Sequence, residues 1–197
     1  MQSILTTALM GVFLLSGSGS SDALSRLSDM ASGTPSSPIY TVSMTGYNAV
    51  PGQTDNNPFD TASGVYADAD LVAARSSDLA DKLPFGTVIQ LVPTDASSTP
   101  GCERSLVEPL IGLRVIADAM HPRKRNQIDI LFHSDSAVKI AAGKRMNPAR
   151  ALGMCKDVEI QVVGHIDVSK MPQSQVQLAE MLMANSRVQN SPLALSH

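Results

Sequence analysis

Six short runs of β-branched and other apolar residues recur along the chain, and residues that favour turns separate them. Runs of this length and spacing are typical of β-strands rather than helices. The runs are Ile39–Thr45, Leu71–Ala74, Thr87–Val92, Leu110–Ile116, Ile128–Phe132 and Val158–Val163. Six short strands in one domain predict a small β-barrel.

Helical patterns are fewer and lie at the periphery of these runs. Ser134 or Asp135 is a candidate N-cap for a short helix through Ala142, which Gly143 would end. A single helical turn is also predicted over residues 148–152.

The strongest helical signal is at the C-terminus. Ser174 and Gln177 resemble a capping box, and the helix that they begin is predicted to run to about Arg187. Its apolar stripe, which we expect to pack on the barrel, consists of Val176, Ala179, Leu182 and Met183.

Length, charge and hydrophobic content predict one folded domain. The 197 residues are 43% hydrophobic with a net charge of -3, which is enough for one core with flexible ends. A nucleic-acid partner has no support, because the only basic cluster is Arg123, Lys124 and Arg125. We interpret that cluster as a solvated loop.

The N-terminus is interpreted apart from the fold. Ile4–Leu15 is an apolar run that is followed by small polar residues and is too short to span a bilayer, which is typical of a secretory signal peptide. We predict a signal peptide over residues 1–18, although a disordered or mis-started N-terminus is the alternative because residues 1–3 contain no Lys or Arg. Residues 19–38, rich in Ser, Gly and Pro, are predicted to be a flexible linker.

The chain contains two cysteines, Cys102 and Cys155. An isolated pair in an exported protein usually forms a disulfide, and two unrelated thiols are the alternative. No metal role is expected, since neither cysteine lies at ligand spacing from another Cys or His.

The segment VIADAMHPRKRNQIDILF, residues 115–132, places two carboxylates beside apolar runs. Asp118 follows one run, Asp129 lies in the next, and the polar residues between them are too turn-prone to be buried. Two acids at strand ends can face one cleft. An acid at a strand end also commonly caps a turn or pairs with an arginine, so that Asp129 with Arg123 or Arg125 is the structural alternative.

Four sequence blocks, in one order, resemble the 3D domain, a family named for three aspartates. The blocks are YNAVPGQTDNNPFDTASG (residues 47–64), LPFGT (83–87), ADAMHPRKRNQIDILF (117–132) and ALGMCKDVEIQVV (151–163). The resemblance implies a mainly β fold with a six-stranded double-psi β-barrel over residues 39–165, short peripheral helices, and a C-terminal helix with a tail over residues 166–197. The catalytic barrel of membrane-bound lytic transglycosylase A and stationary-phase muralytic proteins share this architecture.

The chemistry implied by the resemblance is cleavage of peptidoglycan between N-acetylmuramic acid and N-acetylglucosamine. No water molecule attacks in this reaction, and the product is a 1,6-anhydro sugar. The resemblance implies peptidoglycan as the partner and no cofactor. The predicted signal peptide implies an exported protein, periplasmic or otherwise associated with the cell envelope, with no membrane span after signal removal, and the charge balance predicts no nucleic-acid partner. A noncatalytic module that binds the cell wall through the same cleft is the alternative.

The family's aspartates fall on three positions of this chain. Asp129 corresponds to the proposed catalytic acid, Asp118 is the second member of the pair, and the remaining family aspartate is Asp78, with Asp81 as its rival. A glycosidic acid needs a pKa raised by burial or by a neighbouring carboxylate, and Asp118 is expected to supply that second influence.

Several polar and aromatic residues are candidates for binding the sugar. For Thr61 and Ser63 the structural alternative is a turn whose hydroxyls satisfy backbone groups, and for the tyrosine it is a half-buried core position. The candidates are Tyr47, Gln53, Thr54, Thr61 and Ser63. His121 and His133 lie near the aspartates, but we expect no metal because no third ligand accompanies them.

Overall fold

The computed structural model describes residues 37–52, 54, 57–93, 100–140 and 143–189. The predicted signal peptide and residues 19–36 of the predicted linker lie outside the described residues. Within those described, none of the helices combines the length and apolar character that crossing a bilayer requires.

Six strands close into a mixed β-barrel, and each of the six predicted runs supplies one of them. They are β1 (Ile39–Asn48), β2 (Val72–Arg75), β3 (Thr87–Leu91), β4 (Arg114–Ala119), β5 (Gln127–Phe132) and β8 (Cys155–His165). The order around the barrel is β1-β5-β2-β4-β3-β8. The pairs β1·β5 and β2·β4 are parallel, and the other neighbouring strands are antiparallel.

One apolar cluster fills the barrel interior. All six barrel strands contribute to it, with inward-facing residues that alternate with outward-facing ones. Its strand members are Val42, Met44, Ala73, Ile89, Ile116, Ile128, Ile130, Phe132, Val158 and Ile160. A second cluster lies on the outer face of β2, β4 and β5 under the connection between β1 and β2, and it consists of Tyr47, Ala67, Val72, Ala74, Ala117 and Leu131.

The predicted helix over residues 134–142 is wrong. Val138–Lys139 forms strand β6, which pairs antiparallel with β7 (Arg145–Met146). Val138 and Ile140 pack against the interior cluster while Lys139 between them is exposed. This is the two-residue alternation of a strand, and in so short a segment it overlaps with a helical pattern.

The helices are short except for the last one. They are α1 (Arg104–Val107), α2 (Pro148–Leu152) and α3 (Gln175–Gln189), with single 3₁₀ turns at Ser77–Leu79, Glu108–Leu110 and Val168–Lys170. Helix α2 is the predicted turn, and it begins at the cap Asn147, whose side chain accepts a hydrogen bond from the Ala149 N–H. The segment before β4, predicted as strand from Leu110, is instead a 3₁₀ turn and a bend.

The predicted C-terminal helix is present as α3, but its predicted apolar stripe is partly wrong. Val176 and Met183 are 67% and 61% exposed, while Leu178, which the pattern omitted, is fully buried. Leu178 joins a cluster with Leu71, Val88, Val115 and Ile166 at one end of the barrel. The helix therefore docks through a face rotated from the one that the sequence predicted.

Cys102 and Cys155 form a disulfide across 53 residues of sequence, with Cα atoms 4.8 Å apart. Because Cys102 precedes α1 and Cys155 begins β8, the bond attaches the α1 segment to the barrel wall.

A buried arginine joins three segments of the fold. The Arg114 side chain donates hydrogen bonds to four backbone carbonyls and is 1% exposed. Its acceptors are Ala69, Leu110, Ile111 and Leu131, at 2.6 to 3.2 Å. Burial lowers its pKa to about 10, and the charges of Asp70 and Asp68 oppose that shift.

We expect Arg114→Met to lower the free energy of unfolding by about 3–5 kcal/mol, because several buried carbonyls would lose their donor. The measurement is urea denaturation. Arg150→Met, at an exposed position, is the control and should change stability by less than about 0.5 kcal/mol. Equal stabilities of the two variants would contradict this role.

Candidate active site

Four residues on four adjacent strands lie side by side on the outer face of the barrel. Ala74 of β2 pairs with Asp118 of β4 on one side and with Asp129 of β5 on the other, and Asp129 pairs with Thr45 of β1. Side chains paired across neighbouring strands share a face of the sheet. The backbones of the two acids are two strand spacings apart, roughly 10 Å, and Ala74 occupies the strand between them.

Asp118 reaches this face because β4 contains a β-bulge. The register between β2 and β4 shifts after Ala73, so Ala117 has no partner in β2. Ile116 belongs to the interior cluster and Ala117 to the outer one. Strict alternation would turn the next side chain, that of Asp118, back into the barrel, and the extra residue prevents this.

Three donors fix the orientation of the Asp118 carboxylate. The Tyr47 hydroxyl donates to Oδ2 at 2.9 Å. The backbone N–H groups of Ala62 and Ala119 donate to Oδ1 at 2.9 and 2.8 Å. Strand β1, the connection after it and β4 itself therefore all hold this carboxylate.

Tyr47 serves the site through its hydroxyl rather than its ring face. The residue is 8% exposed and packs in the outer cluster, as the half-buried alternative for it proposed. Burial raises the pKa of Tyr47 far above its ordinary value, and the Asp118 charge raises it further. The hydroxyl thus keeps its proton and remains a donor to Asp118.

The environment of Asp129 raises its pKa. Burial raises its pKa to about 6, and the charge of Asp118 acts in the same direction, against the opposing effects of Thr45 and Lys124. The Thr45 hydroxyl donates to Oδ1 of Asp129 at 2.8 Å and itself accepts from Gln127 Nε2 at 2.8 Å. A carboxyl group held in this way carries a proton for part of the time near neutral pH.

Asp78 does not join the other two acids. It lies in the 3₁₀ turn after β2, where its carboxylate accepts from the Asn126 N–H at 2.9 Å. A hydrogen bond from the Ser76 side chain is the largest cause of its lowered pKa. Asn126 immediately precedes β5, so Asp78 contacts the chain at the start of that strand and lies outside the row that contains Asp118 and Asp129. Asp81, its rival, acts electrostatically on Arg75.

The predicted sugar-binding hydroxyls close a turn. Thr61 Oγ1 donates to the Val65 carbonyl at 2.9 Å and lies 3.0 Å from Ser63 Oγ. The Thr54 hydroxyl donates to the Val50 carbonyl at 3.3 Å. Gln53 lies outside the described residues. These bonds match the structural alternative, and sugar binding by these residues stays a prediction.

Sequence patterns missed three contributors to the site. Thr45 and Gln127 support Asp129, and the backbone of Ala62 holds Asp118. The one signal available was that Thr45 and Tyr47 are two residues apart in a strand, which places them on the same face.

Within the described part of the chain, no group of three or more His, Cys, Asp or Glu residues is arranged to hold a metal ion.

The structural alternative for Asp129 was an ion pair with Arg123 or Arg125. The Arg125 side chain instead donates to the Ser77 hydroxyl and to the Pro122 carbonyl. Across the described ranges, the ion pairs join Arg104 with Glu108, His133 with Asp70, and Lys170 with Asp167.

Neither a known family model nor a curated protein matches the chain.

We expect Asp129→Asn to raise the free energy of unfolding at pH 8 by about 1–3 kcal/mol, since one unit of pKa corresponds to about 1.4 kcal/mol. The folded pKa of about 6 exceeds the ordinary 3.8. The native state therefore binds the proton more tightly, and Asp129 contributes stability below pH 4 that is lost as the pH rises through 6. The asparagine avoids this loss.

Urea denaturation at pH 4 and pH 8 measures the difference in the free energy of unfolding between Asp129→Asn and the parent. This difference should be smaller at pH 4 than at pH 8. Asp135→Asn, at an exposed position, is the control and should behave like the parent at both values. An Asp129→Asn variant less stable than the parent at pH 8 would show that burial of the charge is not costly.

Proposed function

We propose that the chain is an exported lytic transglycosylase of the 3D-domain type, which cleaves peptidoglycan between N-acetylmuramic acid and N-acetylglucosamine. The observation that carries the proposal is the row in which Ala74 pairs with both acids. In this row Asp129 has a pKa of about 6, and hydrogen bonds fix the orientation of the Asp118 carboxylate. Two carboxyl groups in different environments are the arrangement that glycosidic cleavage uses.

The reaction uses Asp129 first as an acid and then as a base. Its proton passes to the glycosidic oxygen as the bond to the anomeric carbon of N-acetylmuramic acid breaks, and N-acetylglucosamine leaves with a hydroxyl group. Positive charge then develops at the anomeric carbon, which the Asp118 carboxylate stabilises. The 6-hydroxyl of the same sugar attacks that carbon and returns its proton to Asp129, so that a 1,6-anhydro product forms without water.

Two further features support the proposal. The barrel contains two pairs of parallel neighbours, β1·β5 and β2·β4, among antiparallel ones, and we infer the double-psi arrangement from the sequence resemblance and from this mixture. The bond between Cys102 and Cys155 favours export, because disulfides persist in oxidising compartments.

One observation favours the alternative of a noncatalytic cell-wall-binding module. Asp78 is bound to Asn126 in the turn after β2 and lies outside the row of Asp118 and Asp129, so that the three family aspartates are not side by side. Binding without cleavage would follow if catalysis required all three.

Digestion of purified sacculi, followed by mass spectrometry of the soluble fragments, separates the two functions. We expect anhydromuropeptides from the parent and a loss of at least about 100-fold in Asp129→Asn, because general acid–base catalysis contributes that much. Asp135→Asn should retain the parent rate. Anhydro product from Asp129→Asn at the parent rate would refute the acid role, and binding of sacculi by the parent without any product would favour the alternative.

The pH profile tests the same acid independently. We expect kcat/KM to fall as the pH rises through about 6, because only the protonated form of Asp129 can donate to the leaving oxygen. In Asp118→Asn this fall should move to lower pH, since the charge of Asp118 raises the pKa of Asp129. A profile that stays flat from pH 5 to 8 would contradict the assignment.

A further inference from the structure

Two exposed aromatic rings lie on the segment that holds Asp118. Phe59 and Tyr66 are 51% and 66% exposed. Their ring centroids are 6.1 Å apart and their planes differ by 4°. Two large parallel rings that are exposed to solvent form an apolar surface. Exposed apolar surfaces of this kind often mark binding sites.

The rings stand at the base of a small hairpin, Phe59–Ala67. Asp60 pairs with Tyr66, and the Ala67 N–H donates to the Phe59 carbonyl at 2.9 Å. A backbone hydrogen bond from the Thr61 N–H to the Val65 carbonyl closes the turn. The backbone of both aromatic residues is thus fixed, so the orientation of the rings does not depend on a mobile loop.

The tip of this hairpin touches the candidate active site. The Ser63 N–H donates to the carbonyl of Ala117, the bulged residue of β4, at 3.1 Å. The Ala62 N–H donates to Asp118. Asp60, which pairs with Tyr66, is two residues before Ala62, so that at most about 7 Å of chain separates them. The rings therefore lie within the reach of an oligosaccharide whose scissile bond is at Asp129.

We propose that Phe59 and Tyr66 form a platform on which sugar rings of the glycan strand stack, beside the bond that is cleaved. The proposal rests on the proposed function for its choice of ligand. The apolar C–H face of a pyranose matches the flat face of an aromatic ring, and the exposed Asp60 carboxylate beside Tyr66 can accept hydrogen bonds from sugar hydroxyls. The chemistry recognised is thus that of an apolar sugar face.

Titration calorimetry with a peptide-free glycan hexasaccharide tests the platform, in the full chain carrying Asp129→Asn so that the ligand is not consumed. We expect the added pair Phe59→Ala and Tyr66→Ala to raise Kd by roughly tenfold or more. Phe59→Tyr with Tyr66→Phe keeps both rings and should keep the Kd. Val176→Ala with Met183→Ala removes similarly exposed apolar groups on α3 and is the matched control.

Each outcome supports or overturns the platform. An unchanged Kd in the alanine pair, or an equal loss in the α3 control pair, overturns it, as does a parent chain that binds no glycan. A loss confined to the alanine pair, with the urea midpoint unchanged, supports it. Digestion of sacculi by the parent reports separately on the proposed function, so that a platform that binds without anhydro product supports the platform and refutes catalysis.

Discussion

One extra residue in β4 places Asp118 on the same face of the barrel as Asp129. The register shift at Ala117 turns the following side chain outward, and the carbonyl of Ala117 accepts the N–H of Ser63. The same irregularity thus aims the carboxylate and anchors the connection that covers it. Bulges are common where a strand must re-aim a functional side chain.

The two acids in this row occupy different environments. Asp118 accepts hydrogen bonds from a hydroxyl and two backbone groups. Asp129 has the Thr45 hydroxyl as its donor and is buried enough for its pKa to rise to about 6. Burial and hydrogen bonding therefore place two chemically identical side chains in different electrostatic environments. The buried Arg114 also stabilises this region, since it donates to the carbonyls of Ala69 and Leu131, and Leu131 belongs to the outer cluster.

The strands could be predicted from sequence because each is a compact apolar run between turn residues, and a closed barrel follows from six of them. The helix prediction for residues 134–142 failed because alternation over three residues, Val138 to Ile140, is compatible with either a helix or a strand. The site was predicted only in part. Asp118 and Asp129 stand beside recognisable strands, but the contacts that define their roles join residues 56 and 84 positions apart. The bulge at Ala117 leaves no local signal in sequence, and the exclusion of Asp78 depends on the turn that follows β2.

The central claim is that the fold raises the pKa of Asp129 to about 6, so that this carboxyl group carries a proton for part of the time near neutral pH. Titration of the Asp129 side-chain carboxyl by ¹³C NMR, from pH 3 to pH 8 in the intact protein, measures this directly. The account predicts a midpoint near 6. A midpoint near the ordinary value of about 4 would mean that this carboxyl group is always ionised at neutral pH, and the acid role would be contradicted.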